Sequence, residues 1–67
     1  MEDNWQLVYS SPYIYQVEMV QAVLIDFEIK SVVINKQDSS YHFGEVELYV
    51  EQDNVLRARQ IINREGL

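Results

Sequence analysis

The chemistry-bearing residues of this chain gather around its only histidine, His42. Asp38 precedes it, Ser39, Ser40 and Tyr41 adjoin it, and Glu45 and Glu47 follow. An imidazole with carboxylates is the raw material of a divalent-metal site. Glu45 and Glu47 would share a strand face, because strand side chains repeat at two. The same His42 could act as a general base toward a hydroxyl within hydrogen-bond reach. Neither reading has the spacing it needs. One imidazole with scattered carboxylates lacks the density of a metal centre, and no nucleophile elbow or other catalytic word is present. The ordinary reading, a solvated loop histidine, is favoured. No catalytic residue, metal or cofactor is expected, and the chain is read as not an enzyme.

Binding offers more material. Asn35, Lys36, Asp38, Ser39 and Tyr41 combine charges, hydroxyls and an aromatic tip, as contact loops do. The competing reading is structural, with Asp38 and the serines folding a turn by bonding their own backbone. Trp5, Tyr9 and Tyr49 are candidate aromatic anchors of an interaction surface, since Tyr and Trp are enriched in interface cores.

The rest of the sequence must position these groups with few resources. Its 67 residues make a single domain, with residues 5–64 as the expected core and 1–4 and 65–67 as tails. A core this small rarely supplies more than roughly 3–5 kcal/mol. There is no cysteine, so neither disulfides nor thiolate zinc sites can help, and self-association is the expected support. The net charge of −6 opposes nucleic-acid backbones. Arg57, Arg59 and Arg64 form a local basic group that reads as a solvated helix face. No apolar run approaches a membrane span, and the acidic start is unlike a secretory signal. These features together imply a cytoplasmic protein with no nucleic-acid or membrane partner.

Trp5 to Ser10 is β-branched, aromatic and alternating, the pattern of a strand with Trp5, Leu7 and Tyr9 on one face. Ser11 then suits an N-cap and Pro12 the first helical position, so Ser11→Ala should cost about 1 kcal/mol. Val17, Val20, Leu24 and Phe27 form the buried stripe of a helix running to about Phe27. Ile14, Met19 and Ile25 lie off that stripe, more apolar surface than one face needs. A second strand spans Ile29 to Asn35, apolar on both faces. Gly44 ends the loop that follows, free to turn at positive φ. Glu45 to Val50 alternates strictly, which puts Val46, Leu48 and Val50 under the helices and Glu45 and Glu47 on a wet face. Asp53 is the expected N-cap of a second helix from Asn54 to about Arg64, closed by Gly66.

The order strand-helix-strand-strand-helix constrains topology. A right-handed crossover sets the first two strands parallel. The short loop between the second and third strands makes them antiparallel. Placing the third strand in the middle satisfies both. The fold class is therefore α+β, ferredoxin-like β-α-β-β-α, with a three-stranded sheet of order 1-3-2, both helices on one face and the usual last strand missing. That missing strand would leave the first strand's outer edge open, and edge pairing through it is the preferred mode of homo-oligomer formation.

Several words of the chain resemble a family of small bacterial domains of unknown function, called putative prokaryotic signal-transducing proteins. Leu7 to Ser10 is similar to its opening strand, and Ser11-Pro12 with Glu18 to its helix entry. Ser31 to Tyr41 resembles its loop, Phe43 to Val50 its third strand, and Asp53 with Ala58 its last helix. The resemblance covers about Trp5 to Ile62. Many relatives carry glycine just after the first helix, where Glu28-Ile29 stands here, so that turn should differ. The resemblance implies kinship with the nitrogen-regulatory PII group, whose domains are oligomers with a ligand-sensing loop. The corresponding segment here, Lys36 to Gly44, is short and lacks a Gly-rich phosphate cradle, so nucleotide or 2-oxoglutarate binding is not carried over. The expected function is a non-enzymatic interaction or regulatory module. The alternative is a small-ligand sensor with a pocket near residues 35–44.

Overall fold

The computed structural model describes residues 4–37 and 44–67. Their elements are β1 (Trp5–Ser11), α1 (Ile14–Asp26), β2 (Ser31–Asn35), β3 (Val46–Glu51), a 3-10 turn (Gln52–Asn54) and α2 (Val55–Glu65). The sheet has the order β1-β3-β2, with β3 antiparallel to both neighbours, so β1 and β2 run parallel. This is the expected α+β, ferredoxin-like arrangement.

Alternation in β3 decides which side is inside. Val46, Leu48 and Val50 are fully buried. They join Val17, Val20 and Leu24 of α1 and Val55, Ala58, Ile61 and Ile62 of α2 in one core. Both helices therefore cover the same sheet face. Leu67 also packs on this core, because Gly66 closes α2 in the left-handed conformation and Leu67 N–H returns to the Ile62 carbonyl at 3.0 Å.

Two local expectations are corrected. Ser11 is the last residue of β1, and α1 begins only at Ile14. Its hydroxyl still accepts the Tyr13 N–H at 3.1 Å, and it donates to Gln16 Oε1 at 2.7 Å. The serine thus ties the strand end to the helix start from a buried position. Asp53 belongs to the 3-10 turn, and the N-cap of α2 is Asn54, which makes no side-chain capping bond. The turn supplies what a capping side chain would, by tightening the chain before the helix.

The end of α1 turns on Glu28. It adopts the glycine-like conformation itself, at φ 63°. Ile29 N–H reaches the Leu24 carbonyl at 2.9 Å and Glu28 N–H the Ile25 carbonyl at 2.8 Å, the Schellman pattern. The strained backbone is held because Ile29, next in line, is buried. Glu28→Gly is expected to stabilise the domain by about 0.5–1 kcal/mol, with relief of left-handed strain partly offset by a freer unfolded chain. Thermal melts should show a midpoint higher by roughly 2–8 °C; a lower midpoint would mean that the Glu28 side chain contributes more than its backbone costs.

At Gly44 the left-handed turn is used as expected, with φ 98°. A Cβ there would come 2.5 Å from the Lys36 carbonyl carbon's oxygen, so no side chain fits. That close approach lets Lys36 N–H bond the Glu45 carbonyl at 3.1 Å and start the β2–β3 ladder.

Candidate functional site

Register across the sheet defines what its uncovered face displays. Leu7 of β1 lies opposite Tyr49 of β3, which lies opposite Val32 of β2. Paired residues share a face, and Tyr49 is out of phase with the buried Val46, Leu48 and Val50. Leu7, Tyr49 and Val32 therefore form a row across all three strands on the side away from the helices. Trp5, opposite Glu51, and Ile34, opposite Glu47, extend the row along the outer strands. Among the described residues no helix covers this face, and Leu7 is 39% exposed.

Tyr9 is not part of it. A bulge interrupts the β1–β3 register between Leu7 and Tyr9, so Tyr9 pairs with Leu48 on the helix side. One inserted residue turns the rest of the strand over. Val8 and Tyr9 both pack partly against the core, while Trp5 and Leu7 remain on the open side. The expectation that Trp5, Leu7 and Tyr9 share a face is thus corrected.

Open edges receive less support than expected. β1 carries the bulge, and the Arg59 guanidinium of α2 donates to the Leu7 carbonyl at 3.4 Å. At the other edge, Gln21 of α1 donates its side-chain amide to the Ser31 carbonyl of β2 at 3.3 Å. Bulges and side chains set against an edge both weaken it as a template for another strand.

One polar cluster sits on the open face. Glu47 Oε1 accepts the Tyr49 hydroxyl at 2.7 Å and meets Lys36 Nζ at 3.0 Å. The Tyr49 and Lys36 bonds hold the Glu47 carboxyl below its ordinary range. Lys36 is raised by its bond to Glu47, and Tyr49 is raised by the same carboxylate. Glu47 thus contributes above the ordinary carboxylate range and loses its contribution as pH falls through its lowered pKa. Lys36 and Tyr49 contribute below their ordinary ranges and lose theirs as pH rises through the raised values. The cluster is intact at neutral pH between those limits. In Glu47→Gln, an ultraviolet titration should show one tyrosine ionising at lower pH than in the wild type; an unchanged titration would mean that the Tyr49 bond does not persist in solution.

Asn35 has a structural part: its Oδ1 accepts the Gln37 N–H at 2.8 Å, and the Gln37 side-chain amide donates to the Pro12 carbonyl. Asp38, Ser39, Ser40, Tyr41 and His42 lie outside the described residues, and with them the loop surface and both readings of the histidine. A hollow lined by Asn4, Glu51, Gln52 and Asp53 has a volume of about 70 Å³. That is below the roughly 300 Å³ at which small-molecule pockets begin. Sequence reasoning missed Leu7, Val32 and Ile34 as surface residues. Their signal was present in β2, whose two apolar faces cannot both be under helices in a sheet covered on one side.

Comparison with known proteins adds the family. Residues 5–66 match the family described as "Putative prokaryotic signal transducing protein", and the chain belongs to it. No curated protein and no solved structure matches the chain. No described helix is long and apolar enough to cross a membrane.

Proposed function

We propose, with that family as the premise, that this chain is a non-enzymatic interaction module of a cytoplasmic signalling system, acting through protein–protein contacts and pairing with itself through the open sheet face. The observation that carries this reading is the registered row Leu7–Tyr49–Val32, flanked by Trp5 and Ile34, which no helix among the described residues covers. A core limited to roughly 3–5 kcal/mol gains from burying that row. Stacking two such faces would bring like carboxylates together, and Lys36 at 3.0 Å offsets the charge of one of them, Glu47. Face pairing is preferred to edge pairing because the bulge, Arg59 and Gln21 occupy the edges. Sedimentation velocity across a micromolar-to-millimolar concentration series tests the reading. Reversible association is expected, and a clean monomer at every concentration would overturn it.

A further inference from the structure

The sheet face leaves a second apolar surface unexplained, on the opposite side of the molecule. Tyr13, Ile14, Tyr15, Met19 and Ile25 are 54%, 44%, 64%, 52% and 57% exposed. At 100° per residue, Ile14, Tyr15, Met19, Ala22 and Ile25 of α1 fall within one arc opposite the buried Val17, Val20 and Leu24. Ala22, itself exposed, lies at the middle of that arc between larger neighbours. A small residue flanked by large ones leaves room for a partner's side chain to enter. The Tyr13 and Tyr15 rings, 5.7 Å apart, wall one end.

Charge selects the occupant. From Pro12 to Ile29 the chain has no lysine or arginine, and its charged residues are Glu18, Asp26 and Glu28, all exposed. Glu18 and Asp26 fall within the same arc, on either side of Ala22, so the face interleaves apolar side chains with two exposed carboxylates. A second copy's α1 would meet it with the same sign. A second copy's α2 is basic, but two of its three arginines are engaged within their own chain, Arg57 with the Phe27 carbonyl at 3.1 Å and Arg59 with that of Leu7 at 3.4 Å. Anionic lipid and nucleic acid share the sign of Glu18 and Asp26 and are repelled by them. We propose that the outer face of α1 docks a cationic amphipathic helix of a different protein, with apolar side chains seated around Ala22 and lysines or arginines against Glu18 and Asp26. This is the helix-against-apolar-face mode of recognition, and it leaves the sheet face free for self-pairing.

The probe is a fluorescein-labelled peptide of about 15 residues with leucine and lysine at helical spacing. Its controls are a scrambled isomer of equal charge and a version with glutamate for lysine. Fluorescence anisotropy should show binding of the first peptide only, with amide shifts confined to residues 13–26. Met19→Glu combined with Ile25→Glu should weaken binding by about tenfold or more, equivalent to about 1.4 kcal/mol, with an unchanged circular dichroism spectrum. Equal binding of the scrambled isomer would overturn the proposal in favour of charge alone. Shifts on the sheet face, or concentration-dependent shifts in 13–26 without peptide, would overturn it in favour of another site or a second copy. Val32→Lys, which addresses self-pairing, should leave peptide binding unchanged, so the two readings fail separately.

Discussion

Leu48→Ala is expected to remove most of the stability of this domain. Leu48 is fully buried in the central strand, with Tyr9 and Val33 opposite it on either side. It belongs to the core that α1 and α2 share with the sheet. A leucine-to-alanine change at such a site costs about 3 kcal/mol, through lost transfer energy and the cavity left behind. Against a core worth roughly 3–5 kcal/mol, little remains. Urea melts followed by far-ultraviolet circular dichroism should show a lost or strongly lowered midpoint. A midpoint close to the wild type would mean that the core repacks around the cavity, and that the helices are less tightly fixed than their burial implies.

Val32→Lys is expected to abolish self-association while leaving the fold in place. Val32 is half-buried on the open face, in the same row as Tyr49 and Leu7. A lysine there can carry its ammonium into water in the monomer. In a stacked pair the charge would be trapped at the centre of the contact, where burial without a partner is strongly unfavourable. Disruption of a central contact commonly costs 2 kcal/mol or more, so the dissociation constant should rise by roughly 30-fold or more. Sedimentation equilibrium measures that constant, and thermal melts check the fold. Unchanged association with an intact fold would place the contact elsewhere.

Much of this architecture is legible in the amino-acid sequence, and the misses have particular causes. β3 reads clearly because Val46, Leu48 and Val50 alternate with Glu47, Tyr49 and Glu51, so hydropathy and geometry share one period. The same logic fails in β1. Val8 and Tyr9 are both apolar enough to face the core, and a bulge lets both do so. Composition carries no mark of that inserted residue, since its cause is the fit of β1 to β3. The helix starts are misread for a related reason. Ser11 and Asp53 have the right chemistry for capping, but the strand end and the 3-10 turn claim them first. Glu28 shows the reverse situation. A residue poorly suited to the left-handed region adopts it because Ile29 is anchored in the core and α1 must end there.

The candidate surface is legible in part. Trp5 and Tyr49 are found on the open face, and Lys36 meets it through Glu47. Tyr9 is drawn inward by the bulge, and Asn35 bonds its own turn. The face becomes visible only once register is known, because Leu7, Tyr49 and Val32 are far apart in sequence and adjacent only in the sheet. The edges are similar: Arg59 and Gln21 reach β1 and β2 from helices, and no local pattern announces it.

Intermolecular nuclear Overhauser contacts in a sample mixed from isotope-labelled and unlabelled chains test the pairing of open sheet faces most directly. The account predicts contacts from the Tyr49 ring of one copy to the methyl groups of Leu7, Val32 or Ile34 in the other. Contacts confined to β1 backbone amides or to α1, or no intermolecular contacts at millimolar concentration, would contradict it.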